Sequence, residues 1–318
     1  MPDVNGFDAL PDDVLETVLL TRMSATELSQ ISVVCKRFAK MGVADRLWGP
    51  LFNERWGQQQ PTTLATRAKS IAGSWRALFI SKDATEKEAA PWSKPCPEEL
   101  SASVETLANS CANKERGLGI VFLLDGSGSV HEEDFTKMVE FVTEVTATLQ
   151  ASDPGCKVGV VQFSNDVKVE FTPGEGDDEA FQKALKSMCS HRLPVPASMT
   201  ASPVASQVRM NGGTNISVAI QKAGQLLKNH VDEDATRHVV LITDGRVDAY
   251  QSKEARQMAE RLADEQRNVS LFAFGVGRGI DKTELLNIIG TSAGNESGSP
   301  TAATERYLDL YVQEGPIW

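Results

Sequence analysis

From Leu118 onward the chain alternates short, continuous apolar runs with segments of helical periodicity, and this alternation restricts its fold more than any other feature. The strands so marked are Ile120 to Leu124, Val158 to Phe163, Val167 to Phe171, His238 to Thr243 and Val269 to Phe274, several of them mainly apolar along their whole length. Between them, Phe135, Met138, Val139, Val142, Val145 and Leu149 mark one helical face, and Ile216, Ile220, Ala223, Leu226 and Leu227 mark another. Strands that are apolar on both faces need cover on both faces, so the pattern predicts an α/β domain with a mostly parallel sheet between helices. In such sheets ligands bind beyond the carboxyl ends of the strands, which is where functional residues are expected.

Polar residues cluster at those ends. The first run closes on Asp125-Gly-Ser127-Gly-Ser129, where glycines between oxygen-bearing side chains let the chain turn and present them on one side. A later strand ends in Thr243-Asp244-Gly245, and Gly212-Gly213-Thr214 sits directly before a helix that starts near Asn215. Carboxylates and hydroxyls without neighbouring Cys or His suit a hard divalent cation such as Mg²⁺, with Mn²⁺ or Ca²⁺ as alternatives.

These residues resemble the von Willebrand factor A domain and its metal-ion-dependent adhesion site. The likeness runs from Gly117 to about Val312, within a domain placed at 117–318, and implies a Rossmann-like doubly wound sheet. It also implies direct metal contacts from Ser127 and Ser129, contact from Thr214 directly or through water, and contacts from Asp125 and Asp244 mainly through water. A first shell of neutral hydroxyls and water leaves the ion electrophilic, so an acidic side chain on a client protein is expected to complete the octahedron. Asp134, Asp166 and Asp248 are expected to be surface or capping groups.

The N-terminal part has a different texture. Pro11-Asp12-Asp13 reads as a helix start, followed by an apolar stripe of Val14, Leu15, Val18 and Leu19. Ser24 and Glu27 have the spacing of a capping box ahead of Leu28 and Ile31. Leu47, Trp48, Leu51, Phe52 and Trp56 recur at helical spacing, more bulk than so small a core is expected to absorb, so part of it is expected to meet another protein.

Leu10-Pro-Asp-Asp-Val-Leu15, the turn from Leu28 to Ile31, Val33-Val-Cys-Lys-Arg-Phe38 and Leu47-Trp48 together resemble the F-box family, a small all-α module at 8–57. That resemblance implies docking on the Skp adaptor of cullin-based ubiquitin ligases, with Leu10, Pro11, Leu15, Leu19, Val34, Leu47 and Trp48 as adaptor contacts. Ile71, Trp75, Leu78 and Phe79 predict a helix that extends this module to about residue 87. Three prolines between Pro91 and Pro97 then suggest an extended linker over 88–116.

Composition narrows the function. Together with 24 Gly, the 41% of apolar residues is enough for real cores, and 32 basic against 43 acidic residues, net −11, argues against nucleic-acid binding. The apolar runs are too short to span a bilayer, and an acidic N-terminus lacks the positive start of a secretory signal. A cytoplasmic or nuclear location is therefore expected, with five reduced cysteines and three accidental glycosylation patterns at Asn215, Asn268 and Asn295.

Two departures from the resembled domain stand out. Residues 189–211 form a long insertion with Pro194, Pro196 and Pro203, expected either to rim the metal site or to be a disordered surface segment. Tyr307 to Val312 reads as a last strand, but Gln313 to Trp318 is too short for a closing helix, so either the fold is trimmed or the N-terminal part covers that face.

Weaker signals favour no enzyme. Gly275-Val-Gly277-Arg-Gly279 has its third glycine one position early for a dinucleotide loop, and no Gly-Lys-Ser/Thr phosphate loop occurs. Ser127, His131 or His238, and Asp244 make a nucleophilic triad only on paper. The expected function is thus a non-catalytic substrate receptor of an SCF-type cullin-RING ubiquitin ligase. An intracellular metal-dependent scaffold is the alternative, followed by a metal-assisted hydrolase.

Overall fold

A computed structural model describes residues 10–57, 62–90, 93–109, 117–176, 178–188, 209–266, 269–278, 280–291 and 307–313. The chain divides into two compact units. One comprises residues 1–88 with 96–102, and the other 89–95 with 103–318.

The first unit is helical, with α1 (Asp12–Val14) continuing without a break through a π-turn and a 3₁₀ turn to Arg22. It is followed by α2 (Ala25–Ile31), α3 (Lys36–Met41), α4 (Asp45–Trp56), α5 (Thr62–Ala72), α6 (Trp75–Ala89) and the start of α7 (Pro97–Asn109), whose residues from 103 on are counted with the other unit. The expected capping box opens α2: the Glu27 N–H donates to Ser24 Oγ at 3.3 Å, and the Ser24 N–H donates to the Glu27 carboxylate at 2.8 Å. These two bonds satisfy free donors in the first turn of the helix.

The aromatic residues of α4 are core. Trp48 and Trp56 pack against Phe79 of α6 with ring centroids 5.3 and 4.9 Å apart, and Phe52 lies 5.3 Å from Trp75. Their polar edges are satisfied, with Trp48 Nε1 donating to the Gly42 carbonyl at 2.7 Å and Trp56 Nε1 to Glu86 at 2.8 Å. Helix α6 thus takes up the bulk that the sequence suggested was left for a partner.

Three further expectations need correction. The helix anticipated across Ile71 to Phe79 is two helices, because Gly73 adopts φ +84° between α5 and α6. The expected linker over 88–116 contains α7, which the proline density obscured: Pro97 opens the helix, where a missing N–H costs nothing. Buried Lys82 pairs with buried Glu99 at 3.0 Å and so ties α7 to α6. Finally, Leu15, Leu47 and Trp48, expected to contact an adaptor, are 1 to 3% exposed and belong to the core. Of the remaining candidates, Val34 is 70% exposed, Leu10 and Pro11 are exposed and Leu19 is half-buried.

The second unit is the expected α/β domain. Its elements are β1 (Leu118–Asp125), α8 (Glu132–Ser152), β2 (Lys157–Phe163), β3 (Val167–Phe171), α9 (Asp178–Met188), α10 (Ile216–His230), β4 (Thr236–Thr243), α11 (Ala249–Glu265), β5 (Val269–Arg278), α12 (Lys282–Thr291) and β6 (Tyr307–Gln313). The strands form one sheet in the order β3-β2-β1-β4-β5-β6, parallel throughout except for the β2–β3 hairpin.

All eight residues of β1 are buried, as a central strand covered on both faces requires. Val121 and Leu123 point into a cluster with Val239, Leu241, Leu271 and Ala273, closed by apolar residues of α10, α11 and α12. On the other face α8 supplies Phe141, whose ring lies 4.8 Å from that of Phe274. The chain leaves β1 for β2 on one side and later returns to β4 on the other. The strand order therefore reverses between β1 and β4, and a crevice opens at their carboxyl ends. Most of the 189–211 insertion and the stretch after Gln313 lie outside the described residues.

Candidate metal centre

Asp125 ends β1 and is fully buried. Its Oδ1 accepts the Ser127 backbone N–H at 2.9 Å, and its Oδ2 accepts the Thr243 hydroxyl at 2.5 Å. One donor belongs to its own loop and the other to the last residue of β4, so the β1–β4 pairing itself orients the carboxylate. Burial pushes its pKa up to about 6; the hydrogen bonds from Thr243 and Ser127 oppose that rise, and the neighbouring Asp244 carboxylate adds to it.

Ser127 is buried and Ser129 exposed, and their hydroxyl oxygens lie 3.0 Å apart. Adjacent corners of an octahedron with ligands at about 2.1 Å are themselves about 3.0 Å apart, so this spacing suits two neighbouring ligands of an Mg²⁺-sized ion.

Thr214, 7% exposed, arrives on a segment stitched to the first loop by backbone bonds. The Asn211 N–H donates to the Gly126 carbonyl at 2.7 Å, and the Gly128 N–H donates to the Gly212 carbonyl at 2.8 Å. Behind it, the Asn215 N–H donates to the Ser164 carbonyl at 2.8 Å and fixes the start of α10.

Asp244 follows β4 and is 2% exposed. Its Oδ1 accepts the Arg246 N–H at 3.0 Å, across a turn that Gly245 makes with φ +71°. A side chain at Gly245 would also strike Leu285, its Cβ lying 2.9 Å from that residue's Cγ. All five expected positions therefore meet at one edge of the sheet. Among the described residues no group of three or more His, Cys, Asp or Glu side chains forms a metal site, and the oxygens gathered here are two carboxylates and three hydroxyls.

The structure adds residues that carried no readable signal. Thr243 holds Asp125, a role visible only once strand register is known. Arg209 donates from Nη1 to the Ser127 carbonyl at 2.8 Å and also to the Val130 carbonyl, clamping the Asp125 loop from the end of the insertion. Buried Gln162 accepts the Met210 N–H at 2.5 Å.

Asp134, expected as a surface or capping group, is 1% exposed; Gly277 lies beside it, where a Cβ would be 3.5 Å from Asp134 Oδ2 and 3.9 Å from Asp244 Cβ. Asp248 is the cap it was expected to be, accepting the N–H groups of Tyr250 and Gln251 at the start of α11, and Asp166 is exposed.

Of the two histidines considered for a triad, His238 is out of reach of Ser127. His238 pairs in register with Ile120, and the alignment continues four residues further to Ile242 and Leu124. The strands end one residue later still, at Thr243 and Asp125, so at about 3.3 Å per residue His238 lies about 16 Å below the strand ends, where its ring packs on Phe272.

A doubly wound sheet with an oxygen-rich site at its switch point defines a class of ligand-recognition domain. The family model for the von Willebrand factor type A domain matches residues 119–305, more than half of the chain, and the chain belongs to that family. It is 28% identical over 206 residues to the collagen alpha-4(VI) chain of Mus musculus, covering 61% of this chain and 8% of that one. It is 29% identical over 173 residues to matrilin-3 of Gallus gallus, covering 54% and 34% respectively. The chain thus spans a minor part of these relatives' length. Among solved structures, manganese-loaded Plasmodium vivax TRAP protein aligns over 61% of this chain and 68% of its own, with 22% identity and a TM-score of 0.45.

The curated relatives overturn the expected cytoplasmic or nuclear location: collagen VI and the matrilins are extracellular matrix proteins, which points outside the cell. That expectation rested on the acidic first residues and the shortness of the apolar runs, neither of which reports a compartment by itself.

Proposed function

We propose that the α/β unit is a divalent-cation-dependent protein-recognition module. Ser127, Ser129 and Thr214 would hold the ion through their hydroxyls, and Asp125 and Asp244 mainly through water, with an acidic side chain of a partner taking the remaining position. The observation that carries this reading is the 3.0 Å separation of the two serine hydroxyls beside a carboxylate whose oxygens are already held by Ser127 and Thr243. A carboxylate so engaged is suited to binding water on the ion rather than to neutralising it directly, which preserves the ion's attraction for an outside anion.

Calorimetry on the full chain tests the metal. One Mg²⁺ or Mn²⁺ should bind per chain, and Asp125→Ala or Asp244→Ala should reduce affinity at least tenfold while leaving the circular dichroism unchanged. A wild-type protein that takes up no divalent ion at millimolar concentration would refute the reading.

The second reading concerns the helical unit: docking on a Skp adaptor, which would make the chain a substrate receptor of an SCF-type cullin-RING ligase. What favours it is that three apolar side chains of the helical unit stay exposed, Val18 at 56%, Val33 at 85% and Val34 at 70%. Because the relatives point outside the cell, this reading stands on direct adaptor binding alone. Purified Skp adaptor should bind the wild type and lose affinity for Val34→Asp. Leu15→Asp and Trp48→Asp would not be informative, since both would place a charge in the core.

A further inference from the structure

The geometry points to Asn165 as a positioning residue of the metal centre: we infer that its carboxamide, acting on the backbone rather than on the cation, holds Thr214 in place opposite Ser127 and Ser129. This rests on the cation-dependent reading of the α/β unit and deepens it.

The segment that delivers Thr214 has an unfavourable backbone of its own. Asn211 has φ +60° and Gly212 φ +112°, and Asn211 is the one non-glycine residue at positive φ among those described. Asparagine tolerates that region better than most residues, and its Oδ1 accepts the Gly212 N–H at 3.0 Å. Two such residues in succession persist only where the surroundings hold them.

Part of that hold comes from the turn between β2 and β3. Asn165 Oδ1 accepts the Gly213 N–H at 3.0 Å, and the Ser164 carbonyl accepts the Asn215 N–H at 2.8 Å. Thr214 lies between these two anchored residues. The turn is itself closed by the Ser164 N–H, which donates to the Asp166 carbonyl at 2.9 Å. Ser164 acts through its backbone, so its side chain is not what matters there, whereas Asn165 acts through its side chain and the residue type decides.

The fit accounts for the pair of glycines before Thr214. A Cβ at Gly213 would lie 2.4 Å from Asn165 Oδ1, and one at Gly212 would lie 2.9 Å from Asn165 Nδ2. The carboxamide therefore fills the space that side chains at both positions would need. Asn165, Gly212 and Gly213 are exposed and Thr214 is buried, so the contact is made on the outer side of the segment. Removing it opens no cavity in the core, and its loss should be read in cation binding rather than in folding.

The test is Mn²⁺ calorimetry on the full chain, with thermal melting in chelator alongside. Asn165→Ala should weaken Mn²⁺ binding about two- to tenfold, the range for one net hydrogen bond, and leave the melting in chelator unchanged. Asn165→Asp keeps the acceptor and should restore the affinity. Repeating the titrations in 1 M salt, where charges are screened over about 3 Å, separates the hydrogen bond from the added charge, and the recovery should persist. Gly213→Ala should weaken binding in the wild type but add little to Asn165→Ala, whose shorter side chain leaves room for the new Cβ. Undiminished affinity in Asn165→Ala, no recovery with Asp at high salt, or simple additivity with Gly213→Ala overturns the inference and leaves the metal module standing. An Asn165→Ala protein that melts earlier in chelator makes the residue a part of the folded framework and likewise overturns it. Absence of Mn²⁺ uptake by the wild type removes the reading on which the inference rests.

Discussion

At the residue scale the site is governed by one carboxylate. Asp125 is a buried acid with a pKa near 6, and its unfolded counterpart titrates near 3.8. Between those values the unfolded chain binds fewer protons than the folded one, so in chelator this group's contribution to stability falls as pH rises from about 4 to 6. A divalent ion reverses the penalty by favouring the ionised form. Calorimetric affinity for Mg²⁺ should therefore drop with pH below 6, by up to about tenfold per unit for a single linked proton, and level off above pH 7. Arg209 offers a second test at this scale. Arg209→Ala removes the Nη1 contacts that hold the Ser127 and Val130 carbonyls and should cost about 1.5–3 kcal/mol in urea unfolding, the range for hydrogen bonds from a charged group. It should also weaken cation binding, because the loop that carries Ser127 and Ser129 loses its clamp.

At the level of elements, α7 is held by charge where the sequence suggested a free linker. Lys82 on α6 is 3% exposed and Glu99 on α7 is fully buried. Glu99 additionally accepts the Cys96 N–H at 2.8 Å. Truncating one partner leaves the other charge buried, so Glu99→Ala should destabilise the helical unit by about 3–5 kcal/mol, whereas the apolar double variant Lys82→Met with Glu99→Leu should be much less harmful. Thermal unfolding followed by helical circular dichroism distinguishes the two. The element that carries Asp125 has a different vulnerability. Gly126 lies so close to Gln162 that an added Cβ would be 2.8 Å from its Oε1, and Gln162 in turn holds Met210. Gly126→Ala should therefore displace the Thr214 segment and reduce cation affinity more than it reduces stability.

For the whole molecule, the division into two compact units predicts two separable unfolding transitions. Only the transition of the α/β unit should respond to divalent ion, rising by about 2.7 kcal/mol when the free ion is a hundredfold above its dissociation constant. Scanning calorimetry with Mg²⁺ and with chelator checks this. A shift of both transitions together would mean that the units unfold as one.

Much of this was legible before any coordinates. The continuous apolar strands dictated a covered parallel sheet, and the clustering of Asp125, Ser127, Ser129, Thr214 and Asp244 at segment ends followed from the rule that chain reversals in such sheets gather at one edge. The capping box of Ser24 and Glu27 was readable because it is local: three residues of separation fix its geometry. The breaks at Gly73 and Pro97 were misread because a glycine or a proline is compatible with several backbone paths until packing selects one.

What sequence alone determined is therefore whatever depends on periodicity and short spacing, namely the class of fold, the oxygen chemistry of the site and the helical character of the N-terminal unit. What only tertiary structure decided depends on contacts between residues far apart in the chain: Thr243 on Asp125, Arg209 on the Ser127 loop, Lys82 on Glu99, and the burial of Trp48 that turned an expected contact into core. Such contacts are set by strand register and helix packing, which leave no local signature because each partner by itself is compatible with many surroundings.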